Sequence, residues 1–137
     1  MVHVKLKEME KAFRNHKNIL DSSKYPHNHS TLKMVLFYAV ECGLKALYMR
    51  RNRLKDTCPV NNLGDGVSGF KHDLNKLLGR LQINIEVPRA LTKDKSKQIH
   101  SRELHEGWRY GKVFDRVKEA GCVASLQKIL NELNKRL

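Results

Sequence analysis

The segment VLFYAVECGLKALYMRR, residues 35–51, is an apolar stretch with one acid near its centre and cations at its end. Its apolar side chains recur at the spacing of one buried helix face: Leu36, Val40, Leu44, Leu47 and Tyr48. Ala39 and Gly43 are small enough to let a second helix approach closely. Glu41 lies near that seam. Because an unpaired buried carboxylate is costly, Glu41 needs a cationic or hydrogen-bonding partner from elsewhere in the fold or from a second subunit. The segment therefore predicts a helical bundle with a polar feature in its interior.

The remainder of the chain predicts further helices around this one. We expect an amphipathic helix over residues 4–21, a second helix from a Ser30 cap to about Arg53, a short helix over 71–81, a charged helix over 95–110 that stops at Gly111, and a last helix over 117–136. Residues 55–70 contain the turn-forming glycines of the longest predicted loop. Ile83, Ile85 and Val87 predict one short extended piece, which cannot form a sheet alone. The pattern predicts an all-α, four- to five-helix up-and-down bundle in one domain, residues 1–137.

The positive net charge of the chain indicates an anionic partner. The chain has 137 residues, with 27 Lys and Arg against 14 Asp and Glu, which gives a formal charge of +13. Such a domain attracts polyanions, and RNA or DNA phosphate is the commonest kind. An acidic protein or an anionic membrane surface would satisfy the same charge, and a basic surface that serves only solubility is a further alternative.

Composition also bears on location and cofactors. No segment has the apolar length of a membrane span, and the polar N-terminus does not resemble a secretory signal, so no membrane association is expected. The odd number and wide spacing of Cys42, Cys58 and Cys122 are typical of reduced thiols in a cytoplasmic protein. No metal-binding or nucleotide-cofactor motif is present, so we expect no cofactor.

The segment HSRELHEGWRYG, residues 100–111, has the densest group of reactive side chains. Arg102, His105 and Arg109 are spaced i, i+3, i+7 and would share one helix face. Such a group can hold a phosphate, stabilise its developing charge and move a proton, as metal-independent RNA cleavage requires. The alternative is a solvated helix face with an aromatic anchor at Trp108. Five further residues complete the predicted site, with substrate-binding roles for Tyr110, Lys112 and Arg116 and structural polar roles for Glu41 and His72.

Three segments in order resemble the HEPN superfamily (higher eukaryotes and prokaryotes nucleotide-binding): YAVECGLKALYMRR at 38–51, KHDLNKLL at 71–78 and WRYG at 108–111. The resemblance implies a four- or five-helix bundle that usually forms a homodimer. It also implies RNA cleavage or RNA binding in prokaryotic conflict systems, such as toxin–antitoxin pairs and phage defence. A nucleotidyltransferase-type or effector protein is the partner it implies.

The chain departs from this family at one motif. Active members carry an arginine followed by a histidine after four to six residues, whereas only two residues separate Arg102 from His105. His105 with Arg102 and Arg109 is therefore the local substitute for that motif. Three hypotheses follow, namely a metal-independent endoribonuclease, a non-catalytic subunit that binds nucleic acid or an effector protein, and a plain helical adaptor. We favour the first two together, as an RNA-directed component.

Overall fold

The structure is a computed structural model that describes residues 2–26, 28–59 and 66–137. It has five α-helices in these ranges, which are α1 (Leu6–Ser22), α2 (Ser30–Arg51), α3 (Leu74–Arg80), α4 (Leu104–Arg109) and α5 (Arg116–Arg136). Two 3₁₀ helices, Val67–Phe70 and Ser101–Glu103, precede α3 and α4. A small antiparallel hairpin pairs β1 (Ala90–Leu91) with β2 (Gln98–Ile99). The predicted helical fold is confirmed, with this hairpin as its one sheet among the described residues.

Helix α2 lies at the centre of the fold and contacts α1, α3, α4 and α5. Buried residues surround its axis, as expected for a helix enclosed by other elements. At Gly43 an added Cβ would lie 2.6 Å from Leu133 Cδ1 on α5 and 2.8 Å from Phe13 Cδ1 on α1. The absent side chain therefore lets both neighbouring helices pack closely on α2. A smaller apolar cluster of Met9, Ala46, Met49 and Val67 lies beside the main core.

Trp108 fastens α4 to the rest of the bundle. Its ring is buried, and its Nε1 donates a 2.9 Å hydrogen bond to Glu119 Oε2 on α5. Lys33 on α2 pairs with the other carboxylate oxygen of Glu119 at 2.8 Å. One carboxylate thus joins three helices, which fixes the short α4 in place.

Three helix starts are capped by side chains. Asp73 and Asp115 accept hydrogen bonds from backbone N–H groups three residues on, which satisfies donors that the first turn leaves free. His29, rather than the predicted Ser30, caps α2, because its Nδ1 accepts from the Thr31 N–H at 3.2 Å. Helix α2 then ends at Arg51, two residues before the predicted end.

The predicted charged helix over 95–110 is wrong in its first half. Residues 92–97 instead form the loop of the hairpin, and α4 begins only at Leu104. The Asp94 carboxylate accepts hydrogen bonds from the Thr92 hydroxyl at 2.6 Å and from the Ser96 N–H at 3.0 Å. Such local bonds from a side chain to the nearby backbone favour a turn over a helix.

The predicted extended piece at residues 83–87 does not form a strand. Ile83 and Val87 are buried, but the backbone of Val87 pairs with the Asn75 side chain, which donates to its carbonyl and accepts from its N–H. The strand lies further on, at Ala90–Leu91. The predicted loop over 55–70 falls partly outside the described residues, and its last residues fold as the Val67–Phe70 helix. None of the described helices is long and apolar enough to cross a membrane.

Candidate functional site

A cluster of polar side chains lies where α1, α2, α4 and the turn before α3 meet, and we call it the histidine cluster. Its members are His16, Tyr38, Glu41, Lys45, His72 and His105. They come from residues far apart in the sequence, so the cluster exists only in the folded chain.

Glu41 is the charged centre of this cluster and is only 5% exposed. Its Oε2 accepts a 2.8 Å hydrogen bond from Lys45 Nζ, one helical turn along α2. His72 Nδ1 lies 2.9 Å from the same oxygen, and because a carboxylate only accepts, the imidazole donates from this nitrogen. The Nε2 atom of His72 takes no part in this hydrogen bond. A buried acid is thus paired from its own helix and from the turn before α3.

His105 lies behind His72 and is 2% exposed. Its ring centroid is 4.1 Å from that of His72 and 4.8 Å from that of Phe37. Burial, reinforced by the neighbouring His72, lowers the pKa of His105 below its usual 6.5, so the ring is neutral at pH 7. The alternative of a solvated helix face therefore does not apply to His105. Of the two stacked imidazoles, His72 is the one that solvent reaches, with a side chain 46% exposed.

The two predicted arginines lie in different surroundings. Arg102 is exposed in the 3₁₀ helix before α4, whereas His105 is buried, so these two side chains do not lie on one face. Arg109 donates a hydrogen bond to the Tyr38 hydroxyl of the histidine cluster. Its guanidinium also lies 5.9 Å from the ring centroid of Tyr110. Arg109 therefore connects the buried cluster with the surface around Tyr110.

A second region, which we call the basic groove, lies between the hairpin loop and the connection from α4 to α5. It has a volume of about 680 Å³ and is lined by Thr92, Lys93, Asp94, Ser96, Lys97, Lys112 and Val113. Gly111, with φ +71°, reverses the chain after α4, a conformation that suits glycine. Thr92 then bridges to Phe114, and the Asp115 N–H donates to the Leu91 carbonyl at 2.9 Å. These backbone contacts hold the two walls of the groove side by side.

Lysines give this groove its charge. Lys93, Lys97 and Lys112 are exposed and face one acid, Asp94. Hydrogen bonds from Thr92 and Ser96, all of them to Oδ1, hold the pKa of Asp94 well below its usual range, so it is ionised. Three lysines against one carboxylate leave the lining of the groove with a net positive charge, which suits an anion. Tyr110, two residues before Lys112, is 78% exposed, and its ring is the nearest exposed aromatic group in the sequence to this lysine.

The predicted site residues thus divide between two regions. Glu41, His72 and His105 belong to the histidine cluster, while Tyr110 and Lys112 belong to the basic groove or its margin. Arg116, the first residue of α5, is exposed. Sequence reasoning missed five basic or aromatic residues of these regions, Tyr38, Lys45, His16, Lys93 and Lys97. Lys45 could have been identified from the sequence, because it follows Glu41 at the i, i+4 spacing of a helical ion pair.

Metal and thiol chemistry find little support in this arrangement. Across residues 2–26, 28–59 and 66–137, no group of three or more His, Cys, Asp or Glu side chains is placed to hold a metal ion. The three cysteines are free, and burial raises the pKa of the Cys42 and Cys122 thiols to about 11. These two thiols are therefore protonated and poorly nucleophilic at neutral pH.

Comparisons of the chain with protein-family models, with curated proteins and with solved structures give no match. The similarity to the HEPN superfamily therefore stays a prediction from the sequence.

Proposed function

We propose that the protein binds single-stranded RNA through the basic groove. The observation that carries this proposal is a groove with three lysines, together with the exposed ring of Tyr110, two residues before Lys112 of that groove. Proteins that bind single strands combine a cationic path for the phosphates with aromatic faces on which bases stack. Arg109, close to the Tyr110 ring, adds a further cation at the same margin.

The charge of the whole chain supports the same proposal. An excess of +13 in a chain of this size raises the local concentration of a polyanion and speeds its association. Phosphate contacts of this kind release counterions, so the affinity falls as salt rises. Together with the HEPN resemblance, this suggests a cytoplasmic RNA-directed component of a prokaryotic conflict system, such as a toxin–antitoxin pair or phage defence.

The test is an anisotropy titration of a labelled single-stranded RNA, at several salt concentrations, with wild type and a Lys93→Gln/Lys97→Gln/Lys112→Gln variant. We expect the variant to bind more weakly and its log-affinity against log-salt slope to decrease by about 2, near 0.7 per lost phosphate contact. A matched control replaces three exposed lysines outside the groove, Lys7, Lys11 and Lys128, by glutamine. Equal losses in the two variants would show that charge alone, without the groove, holds the RNA.

A second candidate function is metal-independent RNA cleavage, and the exposed His72 favours it. Its Nδ1 is held by Glu41, which leaves Nε2 free to accept a proton, as in a general base. His105, first predicted as the acid–base group, would then position His72 from behind. We expect the wild-type protein to cleave RNA in the presence of EDTA and the His72→Ala variant to have lost this activity. If the wild-type protein leaves every tested RNA intact, this candidate function is wrong.

The resemblance also implies a homodimer and a nucleotidyltransferase-type or effector protein partner. Sedimentation velocity of the chain at several concentrations tests the dimer. Co-expression with the protein encoded beside it tests the partner.

A further inference from the structure

The connection from α4 to α5 exposes apolar side chains. Of the residues that the structure describes, six large hydrophobic ones are well exposed, and three of these lie within eight residues of sequence: Tyr110, Val113 and Val117. Val113 is 60% exposed and Val117 is 79% exposed. Single exposed hydrophobic residues are normal on a protein surface, whereas a group of them marks an interaction site. We call residues 109–118, which contain these three, the connection segment.

Buried contacts hold the connection segment in place. Phe114 is 3% exposed, and its ring packs edge-on against that of Trp108, with 6.0 Å between the ring centroids. The backbone of Phe114 also bridges to Thr92 in the hairpin loop. Val113 directly precedes this anchor, and Val117 lies in the first turn of α5. The fold therefore presents both valines to solvent from fixed positions.

The same segment is strongly basic. Its one acid, Asp115, accepts a hydrogen bond from the Lys118 N–H at 3.1 Å and so caps α5. Against this acid stand four exposed cationic side chains, namely Arg109, Lys112, Arg116 and Lys118. The segment thus combines exposed aliphatic and aromatic groups with an excess of three positive charges.

We propose that the connection segment docks on an anionic lipid surface, with Val113 and Val117 at the acyl boundary and the cations among the headgroups. Apolar side chains gain free energy by leaving water there, basic residues are attracted to anionic headgroups, and tyrosine rings favour the membrane–water interface. RNA would use the cations and the Tyr110 ring, but its bases and phosphates offer no such environment to two aliphatic side chains. A lipid surface therefore accounts for more of the segment than RNA does.

Such a contact needs no membrane-spanning helix. The expectation of no membrane association followed from the lack of a span, and none of the described helices could cross a membrane. A surface contact requires only apolar groups that reach the acyl boundary and cations beside them. The proposal does not rest on RNA binding by the basic groove. Because that groove shares Lys112 and Val113 with the segment, lipid and RNA should compete for the protein.

The test is co-sedimentation of the full chain with vesicles of phosphatidylcholine alone and of an equal mixture of phosphatidylcholine and phosphatidylserine. We expect binding to the mixed vesicles only, weakened by salt. Val113→Ser/Val117→Ser should weaken it about tenfold, because two aliphatic side chains no longer gain by leaving water. Thermal unfolding of the variant should match wild type, since both side chains are exposed.

The matched control is Val2→Ser/Ile19→Ser, which changes two exposed aliphatic residues outside the segment and should alter vesicle affinity less than twofold. Val117→Ser alone separates lipid from RNA, because Val117 does not line the basic groove. It should weaken vesicle binding about threefold and leave the RNA affinity, measured by anisotropy, within twofold.

Three results would overturn the proposal. The first is no binding to the mixed vesicles. The second is vesicle binding that Val113→Ser/Val117→Ser leaves unchanged, which would show that charge alone attracts the protein. The third is an equal loss of RNA and vesicle affinity in Val117→Ser, which would assign the segment to the RNA surface.

Discussion

The histidine cluster and the basic groove contain similar residue types but place them in opposite settings. In the cluster every described charge is matched, since Glu41 accepts from both Lys45 and His72 inside the bundle. In the groove, Lys93, Lys97 and Lys112 are exposed around a single acid, whose Oδ1 accepts hydrogen bonds within its own loop. Burial makes a charge expensive unless it is paired, whereas exposure leaves it free for a partner. We therefore expect substitutions in the cluster to change mainly the free energy of unfolding, and substitutions in the groove to change mainly the affinity for RNA.

Removing the central acid should have the largest effect. We expect Glu41→Ala to lower the free energy of unfolding by about 3 kcal/mol, because it leaves the largely buried Lys45 ammonium without its partner. Chemical denaturation measures this loss. Glu10→Ala is the control, since Glu10 pairs with Arg50 at 3.3 Å near the surface and should contribute under about 1 kcal/mol. Equal losses in the two variants would remove the distinction between buried and exposed pairs.

For the groove, Tyr110→Ala should weaken the binding of single-stranded RNA by about 1–3 kcal/mol, which is the range found for the loss of one stacked base. The free energy of unfolding should change by less than about 0.5 kcal/mol, because the ring is exposed. Tyr25→Ala is the matched control, as Tyr25 is 66% exposed and lies in another part of the chain. RNA affinity that falls equally in both variants would argue against the groove as the binding surface.

Relief of backbone strain should be a smaller effect. We expect Lys71→Gly to raise the free energy of unfolding by about 1 kcal/mol, because glycine accepts a positive φ without steric cost. Lys76→Gly, inside α3, should lower it by about 1 kcal/mol, since glycine weakens a helix interior. Thermal unfolding of both variants gives the comparison, and stabilisation of neither or both would contradict the assignment of strain to residue 71.

The smallest expected effect is a pH dependence confined to the cluster. Burial lowers the pKa of His105 and of His16 in the folded state, so the unfolded chain binds protons that the folded chain does not. The stability that these rings contribute is therefore present above pH 6.5 and lost as the pH falls below it. Melting temperatures across this range should decrease towards acid, and His105→Asn should flatten the decrease. A profile unchanged by that substitution would exclude His105 as the source.

The sequence predicted the long helices well, because each has an apolar face with helical spacing over several turns. Helices α1, α2 and α5 begin and end within two residues of expectation, and Leu104 and Trp108 form the buried side of α4 as predicted. The sequence also predicted that Glu41 has a cationic or hydrogen-bonding partner, because a buried carboxylate requires a donor, although it did not identify which residues these partners are.

The arrangement of the site was not predictable in the same way. Helical spacing relates residues of one helix to each other but does not say which of its sides faces the core. His105 was therefore grouped with Arg102 and Arg109 on one helix face, whereas the six-residue helix α4 buries it against other elements of the bundle. Its stacking partner His72 lies 33 residues earlier, in a turn, and no local pattern joins the two. The groove was missed for a related reason, because Lys97 lies on a hairpin loop where a helix was predicted, and no local pattern relates this loop to Lys112.

The attachment of α4 through Trp108 has a practical consequence. Trp108 is the only tryptophan in the sequence, so the intrinsic fluorescence of the protein reports from one position between α4 and α5. Its emission in the native state should resemble that of indole in an apolar solvent and should move to longer wavelength if α4 separates from α5. Helix α4 contributes to the histidine cluster and leads into the groove. A ligand that binds at either region and displaces this helix would therefore change the Trp108 fluorescence, and no added label would be needed to detect it.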